Sequence, residues 1–309
     1  MFLASRACWK LKKTFINSHI RIFARLHILA KTIQIMENVL ELSEDGKTIL
    51  GLYDKNVESI TIPYGVTSIG GWAFCNCSSL ESITLPYGVT SIGNYAFLGC
   101  SSLKSITLPD SVTFIGYRAF SGCSSLESIT LPSGVTSIGN HAFLGCSSLK
   151  SITLHDSVTS IGERVFSDCS SLKSIDVSGD NSYYTSVDGI LFDKDLTTIV
   201  SFPRGYELKE YTLPSGVTSI GDSAFSDCHS LKSITLHDSV TSISKSAFYR
   251  CFSLKSIHLH WRDLGICEIN QSSFYGVDTD TCTLYIPAGT SESYRQHPVF
   301  GKFKNITEN

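Results

Sequence analysis

Eleven cysteines and nine histidines are the residues of this 309-residue chain with the widest chemical range. Clustered thiols and imidazoles would hold zinc, and a thiolate beside an imidazole would be a nucleophile. Their spacing speaks against both. Cys77, Cys100, Cys123, Cys146 and Cys169 stand 23 residues apart, and Cys228 and Cys251 keep the same interval. Cysteines repeating at one period point the same way from equivalent positions, which suits a small buried apolar side chain. Pairing between neighbouring coils stays open, because stacked positions come within disulfide range. Cys75 and Cys77 form a C-x-C with no second pair to complete a zinc site. His141, His155, His229 and His237 are substitutions at repeat positions, whereas His258 and His260 alternate beside Trp261. That alternation admits a weak metal or ligand site, against the reading of ordinary surface residues. No G-x-S-x-G, phosphate-binding glycine loop or H-E-x-x-H occurs. The serines are numerous, and none is set apart by a neighbouring His and Asp. The expectation is therefore no catalytic set, no metal and no cofactor.

The elements that would position these residues repeat with the same period. Phe74, Phe97, Phe120, Phe143 and Phe166 are 23 apart, as are Leu80, Leu103, Leu126, Leu149 and Leu172. A 13-residue insertion follows, and the register resumes at Leu208, Leu231 and Leu254. Residues 81–126 and 127–172 match at 39 of 46 positions, which indicates duplication of a two-repeat block. Within one unit, "LKSITL" alternates apolar and polar residues and predicts a short strand with one buried face. Pro and a Gly- or Ser-containing turn end it. "VTSIG" predicts a second extended segment, and "NYAFLGC" one helical turn with Ala and Phe inward. A 23-residue unit cannot bury its apolar side alone, so the units must stack. Nine strand starts run from Val57 to Leu254, with a less regular tenth near Leu284.

A stack exposes sheet edges and core at both ends and needs caps. Residues 37–56 read as a hairpin turning at Asp45-Gly46, an N-terminal cap before coils at 57–177. Residues 178–207 read as an inserted β-hairpin, either packed on the flank or projecting towards a ligand. Coils resume at 208–286. Residues 287–309 form a C-terminal cap with a short helix near Ser291–Gln296, and Tyr294, Phe300 and Phe303 are placed to cover the last coil.

Residues 1–36 form a basic leader outside this pattern. Residues 1–35 hold seven Lys or Arg and no acid, leaving 18 of the 25 basic residues against all 28 acidic ones, a net of −10, in the remainder. Three readings compete. A secretory signal needs an unbroken apolar core, which Arg21 and Arg25 interrupt. A transit peptide fits an amphipathic stripe of Phe15, Ile22, Leu26, Leu29 and Ile33. The third reading, favoured here, starts translation at Met36. The overall charge of −3 gives no electrostatic case for nucleic acid, and no apolar run is long enough to span a membrane.

The blocks "GCSSLKSITLP", "VTSIG" and "AF" in successive coils resemble the BspA-like class of leucine-rich repeat, known from bacterial surface proteins and some parasitic protists. The resemblance covers about residues 38–309. Here Cys precedes the strand, a departure from the general leucine-rich pattern. "SVDGILFDKDLTTIVSFP" resembles the family's inserted hairpin, and "CTLYIPAGTSESYRQHPVFGKFKNI" its closing segment. The resemblance implies a right-handed leucine-rich repeat solenoid of about nine to ten coils, mainly β with short helical or 3-10 turns, capped at both ends. It further implies a non-enzymatic, monomeric binder of a protein ligand at the cell surface or in secretion. An intracellular scaffold or passive spacer is the alternative.

The candidate binding face is the outward side of the first strand. It comprises Ser82, Thr84, Ser105, Thr107, Ser128, Thr130, Ser151, Thr153, Ser174, Asp176, Ser233, Thr235, Ser256 and His258. It reads as a solvated neutral sheet, as a concave platform for a protein, or as a flat hydroxyl array matching a lattice. Beside it Glu81, Lys104, Glu127 and Lys150 alternate in sign, a charge ladder that would hold register before Lys150 meets Lys173.

Overall fold

The computed structural model of the protein describes residues 39–309. The leader and the readings attached to it lie outside the described residues. The chain is a mostly-β solenoid in which "LKSITL" and "VTSIG" each contribute one short strand per coil. The first column holds eleven strands: Ser59–Thr61, Ser82–Thr84, Ser105–Thr107, Ser128–Thr130, Ser151–Leu154, Ser174–Val177, Glu210–Thr212, Ser233–Leu236, Ser256–Leu259, Thr283–Ile286 and Asn305–Glu308. The stack thus exceeds the expected nine to ten coils. The eleventh strand comes from "NITE", whose short polar sequence carries no repeat signature, yet it pairs Ile306 with Leu284 in parallel register.

Parallel pairing follows the period. Ser151 faces Ser174 and Ile152 faces Ile175, while Ser137 faces Ser160 in the second column. The alternation of the sequence appears as burial: in Ser105–Thr107 only Ile106 is buried. Val, Ile, Ala, Phe, Cys and Leu from each unit fill the interior. The phenylalanines stack face to face, with ring centroids of Phe74, Phe97, Phe120, Phe143 and Phe166 separated by 5.0, 5.2, 5.5 and 6.0 Å.

The segment expected as a helical turn is a run of tight turns, although Ala96 and Phe97 do point inward. Its second residue is left-handed, with Tyr95 at φ 60° and Arg118 at φ 52°, and this breaks a helix. In exchange, alternate turn N–H groups point along the stack. Tyr95, Phe97 and Gly99 donate to the carbonyls of Tyr117, Ala119 and Ser121 in the next coil at 2.8, 2.7 and 2.8 Å. Among the described residues, helix is confined to Ser291–Gln296 and two 3-10 turns.

Cysteine does more than fill space. The thiols of Cys100, Cys123, Cys146, Cys169 and Cys251 each donate to the carbonyl of the phenylalanine 26 residues earlier, at 2.9–3.2 Å. All ten cysteines from Cys75 to Cys282 are free and buried.

The insertion is part of the wall. Tyr184–Val187 and Ile190–Asp193 form an antiparallel hairpin, and Thr198–Ser201 then takes the second-strand position, with Ile199 opposite Ile220. Phe202 resumes the phenylalanine column, 5.1 Å from Phe225. The hairpin strand is buried on both sides. Leu191 belongs to the core running back to Leu40, whereas Ile190 and Phe192 belong to the core running on to Phe303. The hairpin is therefore a partition between two cores. At the C-terminal end Tyr294, Phe300 and Phe303 are buried, and the Tyr294 hydroxyl donates to the Trp261 carbonyl at 2.9 Å. Trp261 is itself buried and donates to Val240 O, so His258 and His260 do not flank an exposed indole.

Two predictions follow from this packing. A Cβ on Gly116 would lie 2.6 Å from the Gly93 carbonyl carbon, so Gly116→Ala is expected to cost about 1–3 kcal/mol. A lowered urea midpoint with unchanged slope checks this, and an unchanged midpoint would contradict the close approach. Burial also pushes the Cys123 and Cys169 thiols up to about 12. Unfolded thiols ionise near ~8.5, so the native state retains protons that the unfolded chain loses. This stabilisation is complete below that pH and declines as pH rises through the folded values. Stability should therefore fall above about pH 8.5, with a shallower slope in the Cys123→Ala/Cys146→Ala/Cys169→Ala variant. Equal slopes in the two proteins would refute the assignment.

Candidate functional site

Strand geometry turns every second residue of the first column away from the core. Ser82, Thr84, Ser105, Thr107, Ser128, Thr130, Ser151 and Thr153 are all exposed. Asp176 is exposed and Ser174 half-buried, and their side chains are joined by a 3.1 Å hydrogen bond. Ser233, Thr235, Ser256 and His258 are half-buried. Register places Ser233 opposite Ser256 and Thr235 opposite His258, with a 2.8 Å hydrogen bond from Ser256 Oγ to Ser233 Oγ. The same columns extend to residues absent from the sequence-based set. Ser59 and Thr61 precede it, Glu210 and Thr212 open the second half, and Thr283 and Tyr285 follow His258. The repeat register, carried one coil further each way, would have found them.

The structure does not bring the predicted residues into one sheet. Six strands end at Ser174–Val177 and five begin at Glu210–Thr212. Between them stands the hairpin tip. The Ile175 N–H donates to Gly189 O at 2.8 Å, and Ser186 Oγ donates to Ile175 O at 2.7 Å. Gly189, at φ 77°, is required there because a Cβ would lie 2.8 Å from Ser174 Cβ. The tip thus occupies the sheet edge that the next strand would otherwise take, and it divides the face into two fields. The second field is more aromatic. His258 lies 4.5 Å from Tyr285 in a stacked pair, and burial followed by the neighbouring His260 pushes its pKa down.

The charge ladder is resolved into blocks. Lys104 Nζ meets Glu81 at 2.8 Å and Lys150 Nζ meets Glu127 at 2.6 Å. These are also the steps where the backbone contact is longest, with Lys104 N to Glu81 O and Lys150 N to Glu127 O both 3.3 Å, against 3.0 Å for Glu127 N to Lys104 O. The ion pairs sit where the ladder of main-chain bonds is weakest. Lys173 turns towards Glu207, 3.9 Å away.

A second surface feature escaped the sequence reading. Trp72, Tyr95, Arg118, His141 and Arg164 occupy the left-handed turn position of successive coils, at φ 52–65°. Trp72 and Tyr95 stack at 3.9 Å, and Tyr117 meets Tyr95 at 5.0 Å and His141 at 5.7 Å. The only signal in sequence is a bulky residue before "AF", or before "VF" at Arg164, where Gly or Asn would be relaxed. Among the described residues, no group of three or more His, Cys, Asp or Glu side chains is placed to hold a metal ion. No helix of the described residues is long and apolar enough to cross a membrane.

Comparison with known proteins bears on this architecture. The family model of the BspA type leucine-rich repeat region matches residues 51–173, 90–199 and 200–295. A leucine-rich cell surface protein from Faecalibacterium prausnitzii is 27% identical, with a TM-score of 0.59 over 87% of this chain and 92% of that one. A leucine-rich repeat protein from Bacteroides ovatus is 30% identical, with a TM-score of 0.56 over 88% of this chain and 74% of that one. The pneumococcal vaccine antigen PcpA, 24% identical, shares the fold with a TM-score of 0.57 over 87% and 82% of the two chains. The comparison with curated proteins returned no match. With six repeat copies in the matching model and the same solenoid in its structural neighbours, the chain belongs to the BspA-type leucine-rich repeat family.

Proposed function

We propose that this protein is a non-enzymatic binding solenoid whose first strand field, from Ser59 to Asp176, engages a protein partner. The observation that carries this reading is the register of that field. Exposed Ser and Thr side chains repeat coil after coil on a sheet whose opposite face is locked into the core. Short hydroxyl side chains lose less rotamer entropy on contact than Lys or Glu, and each offers both a donor and an acceptor. A rigid array of this kind meets a partner with little reorganisation. The paired charges of Glu81, Lys104, Glu127 and Lys150 border the same field and are positioned to orient a partner at its rim. The partner class is a protein at a cell surface, in keeping with the surface protein of Faecalibacterium prausnitzii that shares this fold.

The test is saturable binding of the labelled full chain to cells, with and without trypsin treatment of the cell surface. Binding should be saturable and protease-sensitive. The Thr84→Lys/Thr107→Glu/Thr130→Lys/Thr153→Glu variant should bind at least tenfold more weakly with an unaltered thermal transition, because these side chains are exposed. Undiminished binding by the folded variant would move the interface elsewhere. Absence of saturable binding by the parent would favour a structural spacer.

A further inference from the structure

The insertion leaves a gap in the turn stack. Coil by coil, the second, fourth and sixth N–H groups of each turn donate to the next coil, as in His141 to Glu163 O, Phe143 to Val165 O and Gly145 to Ser167 O. The next turn contains Arg164, Phe166 and Asp168, and their N–H groups find no acceptor among the described residues. The chain has entered the hairpin there, and the segment at 198–204 that resumes the coil pairs with the hairpin strand and donates forward, Phe202 N to Ala224 O, while its main chain makes no hydrogen bond to the turn at 164–168 among the described residues. The result is a cavity of about 160 Å³ between the two halves.

Two guanidinium groups border it. Arg204 is 94% buried, taking the 6% exposure of its side chain, and it bridges the gap. It donates from Nε to Ser226 O, from Nη1 to Phe166 O and from Nη2 to Ser167 Oγ. This leaves N–H groups on both terminal nitrogens without acceptors. Among the described residues its one buried counter-charge is Asp227, at 3.7 Å, and that carboxylate is shared with Arg250 at 3.4 Å. Arg164 also lines the cavity, with its Nε buried and unpartnered, as is that of Arg118 two coils earlier, and its guanidinium 5.8 Å from the Tyr249 ring centroid. Val165, Leu191 and Val200 supply an apolar lining. Glu163 and Asp222 stand in the same lining and oppose a second negative charge.

We propose that this seam cavity binds a short monocarboxylate anion. A carboxylate supplies the acceptor oxygens that the missing coil would have presented to the turn N–H groups, and its plane suits guanidinium donors. Concavities of free backbone N–H groups are established anion receptors. The apolar lining receives a short alkyl tail. A cavity of ~150 Å³ is known to hold a six-carbon ligand, so acetate and propionate fit. The two acidic side chains disfavour phosphate and dicarboxylates. The site is independent of the strand face, and its failure would leave the proposed function untouched.

The experiment titrates the full chain with sodium propionate, and separately with phosphate and chloride, at constant ionic strength, by calorimetry and thermal melting. One saturable propionate site with a rise in Tm is expected, and no comparable effect from chloride or phosphate. Arg164→Asn removes the guanidinium while keeping a residue that tolerates the left-handed conformation. It should weaken propionate binding at least tenfold without lowering the Tm measured in chloride. Val200→Phe, which fills the cavity, should abolish binding, and if that variant does not fold then Arg164→Asn decides alone. Equal responses to propionate and chloride, preferential phosphate binding, or unchanged propionate affinity in Arg164→Asn would each overturn the proposal.

Discussion

The contact on which the molecule depends is the backbone hydrogen bond between the turns of adjacent coils. Alternate N–H groups point along the stack axis from turns that carry a left-handed residue, as at Trp72, Tyr95, Arg118, His141, Ser223 and Ser246, with close backbone approach at Gly93, Gly116 and Gly139. Side chains at other positions adapt to that spacing. Phenylalanine rings repeat at 5.0–6.0 Å because their backbones do, and the planes stay parallel for the same reason. The cysteine thiol then adds a second hydrogen bond to a carbonyl that already accepts one backbone N–H, as Phe97 O accepts from both Cys100 N and Cys123 Sγ, a task neither alanine nor valine can perform. Burial keeps that thiol protonated and therefore a donor.

Where this contact fails, the architecture changes. At the inserted hairpin the turn stack, the strand face and the hydrophobic core all break, because one segment cannot pair in both directions while it reverses. Strand alternation converts the hairpin into a partition, with Leu191 on one side and Ile190 and Phe192 on the other. The Phe166 and Ser226 carbonyls are joined by Arg204, whose planar fork spans the two halves beside the main-chain bond from Gly205 N to Leu172 O. The Tyr184 hydroxyl plays a similar part in the second column by accepting from the Ile161 N–H at 3.1 Å.

These constraints act unequally on the outward positions. Outward positions of the first strand hold hydroxyls in most coils and Asp176 and His258 in others, in the same register. The left-handed turn position is different, since Trp72, Tyr95 and Arg118 adopt a conformation that costs side-chain-bearing residues of order 1 kcal/mol or more. Stacking between Trp72 and Tyr95 returns part of that cost.

The 23-residue period by itself determined the fold, the inward residues and the alignment of Ser and Thr columns, because every coil must satisfy the same stacking geometry. The hairpin turn at Gly46 and the helix at Ser291–Gln296 were equally legible, since a turn dipeptide and a local polar pattern encode them. The eleventh strand, the thiol–carbonyl bonds and the left-handed ridge were not, because they depend on neighbours one coil away and not on local preference. Least legible was the seam. Insertion of 13 residues is visible in the sequence, but only the tertiary structure decided that the hairpin would enter the wall, divide the face, and leave Arg204, Arg164 and Phe166 lining a cavity. Those outcomes depend on which strand edge the hairpin pairs with, a long-range choice that a periodic sequence does not encode.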